Sequence, residues 1–181
     1  EGYWNNPEAN HRRVHDGIFW TGDLAYRDEQ GHFWFAGRDD DWLRVDGENI
    51  ASAQIEEILF RHADVVLAGV YAVPDPAAGD RVMAALQLRA GAQFDPVAFE
   101  AFLAAQPDLG TKWTPDFVRV TEHMPLTATT KVLRRQLRQE RWRTTDTVWW
   151  KPRRGSPYRR FEAADRTAWE ALFAPGALQR L

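Results

Sequence analysis

VVLAGVYAVPDPAAGDRVMAALQL, residues 65–88, is the stretch whose reading decides the fold. Two apolar runs, VVLAGVYAV (65–73) and RVMAALQL (81–88), flank the turn-rich PDPAAGD (74–80). β-Branched and aromatic side chains suit a pleated, half-buried surface, and Pro and Gly punctuate it, so the segment reads as two strands. Upstream, Ser52 stands ahead of an apolar stripe at Ile55, Ile58, Leu59 and His62, the i, i+3, i+4, i+7 spacing of a helix that Ser52 could cap. Further upstream, WLRV (42–45) and ENI (48–50) flank Asp46-Gly47, a two-residue turn demanding positive φ, which predicts a short hairpin with Gly47 at its tip. Downstream, Asp95-Pro96 opens a second helix with Phe99, Phe102 and Leu103 on one face. FVRV (117–120) reads as a third strand, and KVLRRQLRQERW (131–142) as a basic helix with Leu133 and Leu137 on its apolar side.

The order hairpin, helix, strand, strand, helix, strand, helix predicts an α+β domain: one three-stranded sheet flanked by helices. Residues 1–37 read as a loop followed by a β-hairpin, with IFWTGDLAY (18–26) and HFWFAG (32–37) joined through DEQG (28–31). From about Thr144 the composition turns to Trp, Pro and Arg, then to a last amphipathic stretch holding Trp169, Leu172 and Phe173. The expected boundaries are therefore 1–39, 40–143 and a terminal extension at 144–181, to which the sequence assigns no role. Core positions are expected for Trp20, Trp34 and Trp169.

The 181 residues suffice for one ordinary domain and an appendage. A 44% hydrophobic share is that of a globular protein, and a net charge of −3 argues against a phosphate-tracking nucleic-acid binder. No apolar run is long enough to span a bilayer, and the first residues lack a signal-peptide pattern. The absence of cysteine removes disulfides, thiolate nucleophiles and cysteine metal sites together. The five histidines show no helical zinc spacing, so no metal site is expected. Of 23 basic residues only Lys112, Lys131 and Lys151 are lysines, which makes each worth asking about.

Three segments carry candidate chemistry. In Thr21-Gly22-Asp23 a carboxylate after a glycine turn can accept hydrogen bonds from the two hydroxyls of a ribose, although a plain turn Asp is the blander reading. Gly37 to Asn49, GRDDDWLRVDGEN, reads either as an acidic linker before a hairpin or as a functional hinge and loop. Pro125 to Arg135, PLTATTKVLRR, runs a threonine-rich loop into the basic helix and places Lys131 in its first turn. A cation there opposes the helix macrodipole, so a solvated lysine competes with a functional one.

Together and in this order, the three segments resemble the acyl-CoA synthetase, adenylation-domain and luciferase superfamily, over roughly residues 1–140. LRVDGENI (43–50) is most similar to the very-long-chain acyl-CoA synthetase and fatty-acid transport protein branch. Asn49 stands where peptide-synthetase adenylation domains and acetyl-CoA synthetases usually have Arg. The resemblance implies the C-terminal part of an AMP-forming fatty acyl-CoA synthetase, with ATP and CoA as substrates beside the fatty acid. It implies that Asp23 and Arg38 hold the ribose, that Lys131 serves adenylation, and that Asp40 is the hinge. It also implies that Gly47, with Glu48 and Asn49, lines the CoA channel, and that Arg44 contacts nucleotide or CoA phosphate. The phosphate loop, the acyl pocket and the residues holding Mg2+ are expected upstream, in an N-terminal domain of the same protein. A chain that begins at Glu1 fits that expectation. A cytoplasmic enzyme is implied. The rival readings are an aromatic-rich lipid- or carbohydrate-binding module, and a peripheral membrane contact through Arg153, Arg154, Arg159 and Arg160.

Overall fold

The computed structural model describes residues 2–38, 42–45, 47–77 and 79–173, and of 35–38 the backbone only. The chain divides into two compact units, Glu1–Trp42 and Leu43–Leu181.

The first unit opens with α1 (Pro7–Arg13), whose cap Asn6 accepts the Ala9 N–H at 3.0 Å. A small ladder of β1 (Val14–His15) and β2 (Ile18–Phe19) follows, then the antiparallel hairpin of β3 (Asp23–Arg27) and β4 (Phe33–Arg38). Among its described residues none is buried: Phe33 is 75% exposed, Trp20 60% and Trp34 51%. This corrects the expectation of core positions for Trp20 and Trp34. A lone hairpin has no second layer to bury against, whatever its apolar content.

The second unit opens within the hairpin β5 (Trp42–Val45) and β6 (Glu48–Ala51), of which Trp42 alone falls to the first unit, and the hairpin runs directly into α2 (Ser52–Leu59). There follow β7 (Val65–Pro74), β8 (Asp80–Leu88), α3 (Pro96–Ala104), β9 (Phe117–Val120) and α4 (Arg134–Glu140). The tail adds β10 (Thr147–Trp150), β11 (Arg159–Arg160) and α5 (Ala163–Ala171). The α+β class is as read, but the sheet has five strands rather than three, in the order β11-β10-β9-β8-β7. Only β8 and β9 are parallel, joined across α3; the other pairs are antiparallel.

Alternation along the strands makes both faces of the sheet apolar. One face presents Ala68, Val70, Val82, Ala84, Leu86 and Val118 to Ile55 and Leu59 of α2, to Phe99 and Leu103 of α3, and to Leu43, Val45 and Ile50 of the hairpin. The other presents Tyr71, Val73, Met83, Ala85, Phe117 and Val148 to Leu137 of α4 and Trp169 of α5. Asp95 caps α3 as expected, accepting the N–H groups of Val97 and Ala98 at 2.9 and 3.1 Å. Ser52 does not cap α2: it is the first helical residue and buried, and the cap position falls to Ala51, already extended in β6. A strand that feeds straight into a helix leaves no loop residue to turn a hydroxyl back onto the first turn.

The tail strands were missed because TVWW is short and followed by Lys-Pro, yet it completes the second face. Trp169 is 6% exposed, with ring centroids 5.5 Å from Trp150 and 5.8 Å from Phe117, and the Arg81 guanidinium sits 4.8 Å from its own centroid. Removing a buried tryptophan side chain costs about 3–5 kcal/mol. We expect Trp169→Ala to lower unfolding stability by that amount, read from the urea midpoint by circular dichroism. A change under about 1 kcal/mol would mean that α5 does not share the core.

Candidate functional site

On the first unit, Gly22 adopts φ 76°, and Asp23 then begins β3 with its N–H on Thr21 Oγ1 at 3.0 Å. Gly22 is a position that needs its missing side chain, since positive φ is costly for residues with a Cβ. Asp23 is exposed, and its cross-strand partner is Arg38. Asp40 lies outside the described residues, as does Asp46.

On the second unit, the β5–β6 hairpin carries Arg44, Gly47, Glu48 and Asn49, all exposed, while Leu43, Val45 and Ile50 root it in the core. Gly47 has φ 80°, as the turn reading requires, and a Cβ placed there would meet nothing within 4 Å. Among the described residues nothing crowds the tip. Glu48 is tied to Lys112 at 2.7 Å, and hydrogen bonding to that ammonium holds its carboxyl below the usual range. Lys112 was one of three lysines noticed in the sequence, but its partner lies 64 residues away and no local pattern announces it.

Lys131 sits in a tight loop ahead of α4, three residues before Arg134, and not in the first turn of a helix. The helix macrodipole therefore does not oppose its charge within a first turn. The loop closes on itself as a miniature hairpin: Leu126 bridges Val132, the Thr127 N–H donates to the Lys131 carbonyl at 2.7 Å, and the Lys131 N–H donates to Thr127 Oγ1 at 3.0 Å. Thr130 takes φ 61° at the turn. Lys112 is paired with Glu48 and Lys151 with Glu100 at 2.6 Å, whereas the exposed Lys131 has no carboxylate partner among the described residues. The loop rests on Gly69 of β7, where a Cβ would come within 2.8 Å of Val132 Cγ1 and 2.9 Å of Leu137 Cδ1.

Three of the tail arginines, Arg154, Arg159 and Arg160, are engaged within the fold. Arg159 grips Asp165 through both terminal nitrogens and lies over Trp150, Arg160 lies over Trp149, and Arg154 approaches Asp116 at 3.8 Å. Asp116 is buried beside the Asp75–Arg81 pair, and burial pushes its carboxyl up to about 6 against the pull of Arg81 and Lys151. Among the described residues no group of three or more His, Asp or Glu is placed to hold a metal ion, and no helix is long and apolar enough to cross a membrane.

A small mixed α+β domain thus displays a glycine-tipped hairpin and a lysine on a threonine loop. Residues 54–131 match the AMP-binding enzyme C-terminal domain, and the chain belongs to the adenylate-forming, acyl-CoA synthetase superfamily. It is 48% identical over 181 residues to a steroid-22-oyl-CoA synthetase of Rhodococcus jostii, covering 99% of this chain and 33% of that protein. It is 51% identical over 149 residues to a medium/long-chain-fatty-acid–CoA ligase of Mycobacterium tuberculosis, covering 82% of this chain and 30% of that one. The solved structure of o-succinylbenzoate CoA synthetase from Bacillus subtilis, in complex with its acyl-adenylate intermediate, superposes with a TM-score of 0.62 at 30% identity, covering 76% of this chain and 28% of that one. The chain thus spans about a third of the length of the curated relatives it matches.

Asp116 yields a pH prediction. Its folded pKa of about 6 lies above the ordinary 3.8, so between about pH 4 and 6 the folded state holds a proton that the unfolded chain has released. Stability therefore falls as pH rises through that window, and above it the buried charge costs about 3 kcal/mol. We expect Asp116→Asn to raise stability at pH 7.5 by up to that amount, to leave it unchanged near pH 3.5, and to flatten urea midpoints measured across pH 3.5–7.5. A loss of stability at pH 7.5 would show that Arg81 and Lys151 more than offset the burial.

Proposed function

We propose that this chain is the C-terminal portion of an ATP-dependent, AMP-forming acyl-CoA ligase acting on a long or very long fatty acid. In the first half-reaction the acid's carboxylate attacks the α-phosphate of ATP, giving acyl-adenylate and pyrophosphate. In the second, the CoA thiol displaces AMP. The observation that carries the reading is the exposed ammonium of Lys131, without a carboxylate partner among the described residues and held on a self-closed threonine loop, while the other two lysines are paired with Glu48 and Glu100.

The chemistry suits such a group. Negative charge gathers between carboxylate and α-phosphate as adenylation proceeds, and a compact ammonium meets it with three rotatable donors. At ~4 Å and an effective dielectric of ~20 the attraction is about 4 kcal/mol, or roughly a thousandfold in rate. Asp23 would accept the ribose hydroxyls and Arg38, its cross-strand partner, would support the same sugar. Arg44 would meet a phosphate of nucleotide or CoA. The open tip at Gly47 would take the pantetheine arm, flanked by Glu48 and Asn49, after rotation about Asp40. Mg2+ would be held by residues outside this chain, in the N-terminal domain that partners it, and the enzyme would be cytoplasmic. The exposed aromatic residues of the first unit, Phe33 and Trp34 among them, would seat against that domain. A peripheral membrane contact has little to rest on, because Arg159 and Arg160 are occupied internally. The relative matched through the tail is named for a steroid-22-oyl substrate, so a steroid side-chain acid is the second substrate to assay.

Two variants of the full-length enzyme test the assignment. Lys131→Ala is expected to lower ATP–pyrophosphate exchange by two to three decades, roughly the Coulomb figure, while sparing thioester formation from supplied acyl-adenylate. Gly47→Leu is expected to do the converse, beyond the roughly 1–2 kcal/mol of backbone strain that a Cβ costs at positive φ. Equal losses in both half-reactions for either variant would refute its assigned role.

A further inference from the structure

We propose that Glu56 is a positioning residue for Lys131, an inference that rests on the adenylation role given to that lysine above. Glu56 lies on α2, 7% exposed, and its carboxylate accepts three hydrogen bonds. Oε1 takes the Val70 N–H and Arg134 Nε, each at 2.8 Å, and Oε2 takes Arg134 Nη2 at 2.5 Å. Arg134 is the first residue of α4 and stands three residues after Lys131.

The geometry gives this carboxylate a part that packing does not fill. The lysine loop is closed on itself by Thr127 and by the Leu133 N–H on the Pro125 carbonyl at 2.8 Å. Those bonds shape the loop without saying where it sits on the domain. Its seat over Gly69 is made by Val132 and Leu137, and apolar contact is non-directional. Directional ties come at the two ends. Before the loop, the Met124 N–H donates to Gln87 Oε1 at 3.1 Å; after it, the guanidinium of Arg134 is gripped as a fork by Glu56. A bidentate guanidinium–carboxylate pair fixes orientation as well as distance. Because the same carboxylate also holds the backbone of β7, it references the root of the lysine loop to the sheet.

Adenylation needs the ammonium within a fraction of an ångström of its place, and a displacement near 1 Å costs about 100-fold. Glu56 thus acts through Lys131 and on one half-reaction only. Its replacement behaves like a mild lysine mutation and not like a general loss of fold.

The test uses the full-length enzyme. Glu56→Gln keeps an acceptor for the Val70 N–H and removes the charged fork; Arg134→Lys keeps the charge and removes the fork geometry. Each is expected to lower kcat for ATP–pyrophosphate exchange by about 10- to 100-fold. KM values for ATP and acid should stay within about twofold, and thioester formation from supplied acyl-adenylate within about threefold. In a Lys131→Ala background, Glu56→Gln should subtract less than about threefold more, because the group it positions is gone. Glu140→Gln, which breaks the partly buried pair with Arg119, should lower the melting temperature and leave exchange within about threefold. The proposal is overturned by unchanged exchange in both variants, by equal losses in the two half-reactions, or by an undiminished effect of Glu56→Gln on top of Lys131→Ala. If Lys131→Ala itself leaves exchange intact, the adenylation reading fails first and takes the positioning role with it.

Discussion

The constraint on which the second unit depends is that its sheet is apolar on both faces. Along β7 and β8, Ala68, Val70, Val82 and Ala84 point one way, and Tyr71, Val73, Met83 and Ala85 the other. Neither face can be left to water, so the chain must supply two covering layers. The β5–β6 hairpin, α2 and α3 provide one; α4, α5 and the aromatic residues of the tail provide the other. The elements that carry the candidate residues are part of these covers. The hairpin with Gly47 at its tip is pinned by Leu43, Val45 and Ile50, and the lysine loop is pinned by Val132 and Leu137 over Gly69. Functional loops gain precision when the residues beside them are core residues.

Charge is distributed with the same economy. Arg119, on the second face of the sheet, is buried between Glu140 at 2.5 Å and Asp146 at 2.6 Å, which ties β9 to the end of α4 and to the start of the tail. Taking ions out of water costs more than an ordinary contact returns, and such groups persist only with near-complete pairing. Lys151 follows the rule through Glu100 and the face of Tyr158, 4.6 Å from its ammonium. Against that background the exposed Lys131, with no carboxylate partner among the described residues, stands out by its chemistry.

Features that are local in the chain were legible in the sequence. The paired strands at 65–88, the Asp95 cap and the left-handed glycine at 47 depend on a few adjacent residues, and each is where its pattern put it. What failed depends on partners elsewhere. Trp20 and Trp34 have strand-like surroundings but no second layer within their unit. TVWW became a sheet strand only because β9 had a free edge for it to pair with. The start of α4 moved to Arg134 because the residues before it close a loop whose hydrogen bonds outcompete a helical turn. In the site, Lys131 and Gly47 could be singled out by residue type and order. Glu48 with Lys112, and Glu56 with Arg134, are 64 and 78 residues apart and have no signature in any window of the chain.

The bond between Glu56 and the Val70 amide has a consequence for solubility. β7 is an outermost strand, and such a strand offers unpaired amides and carbonyls to any passing chain. A carboxylate placed on one of those amides fills a donor that an intruding strand would need. The arginine fork then leans α4 against the same stretch of rim, through residues that also cover the sheet. A side chain of an early helix thereby shields the middle of a ten-residue apolar strand from edge-to-edge self-association.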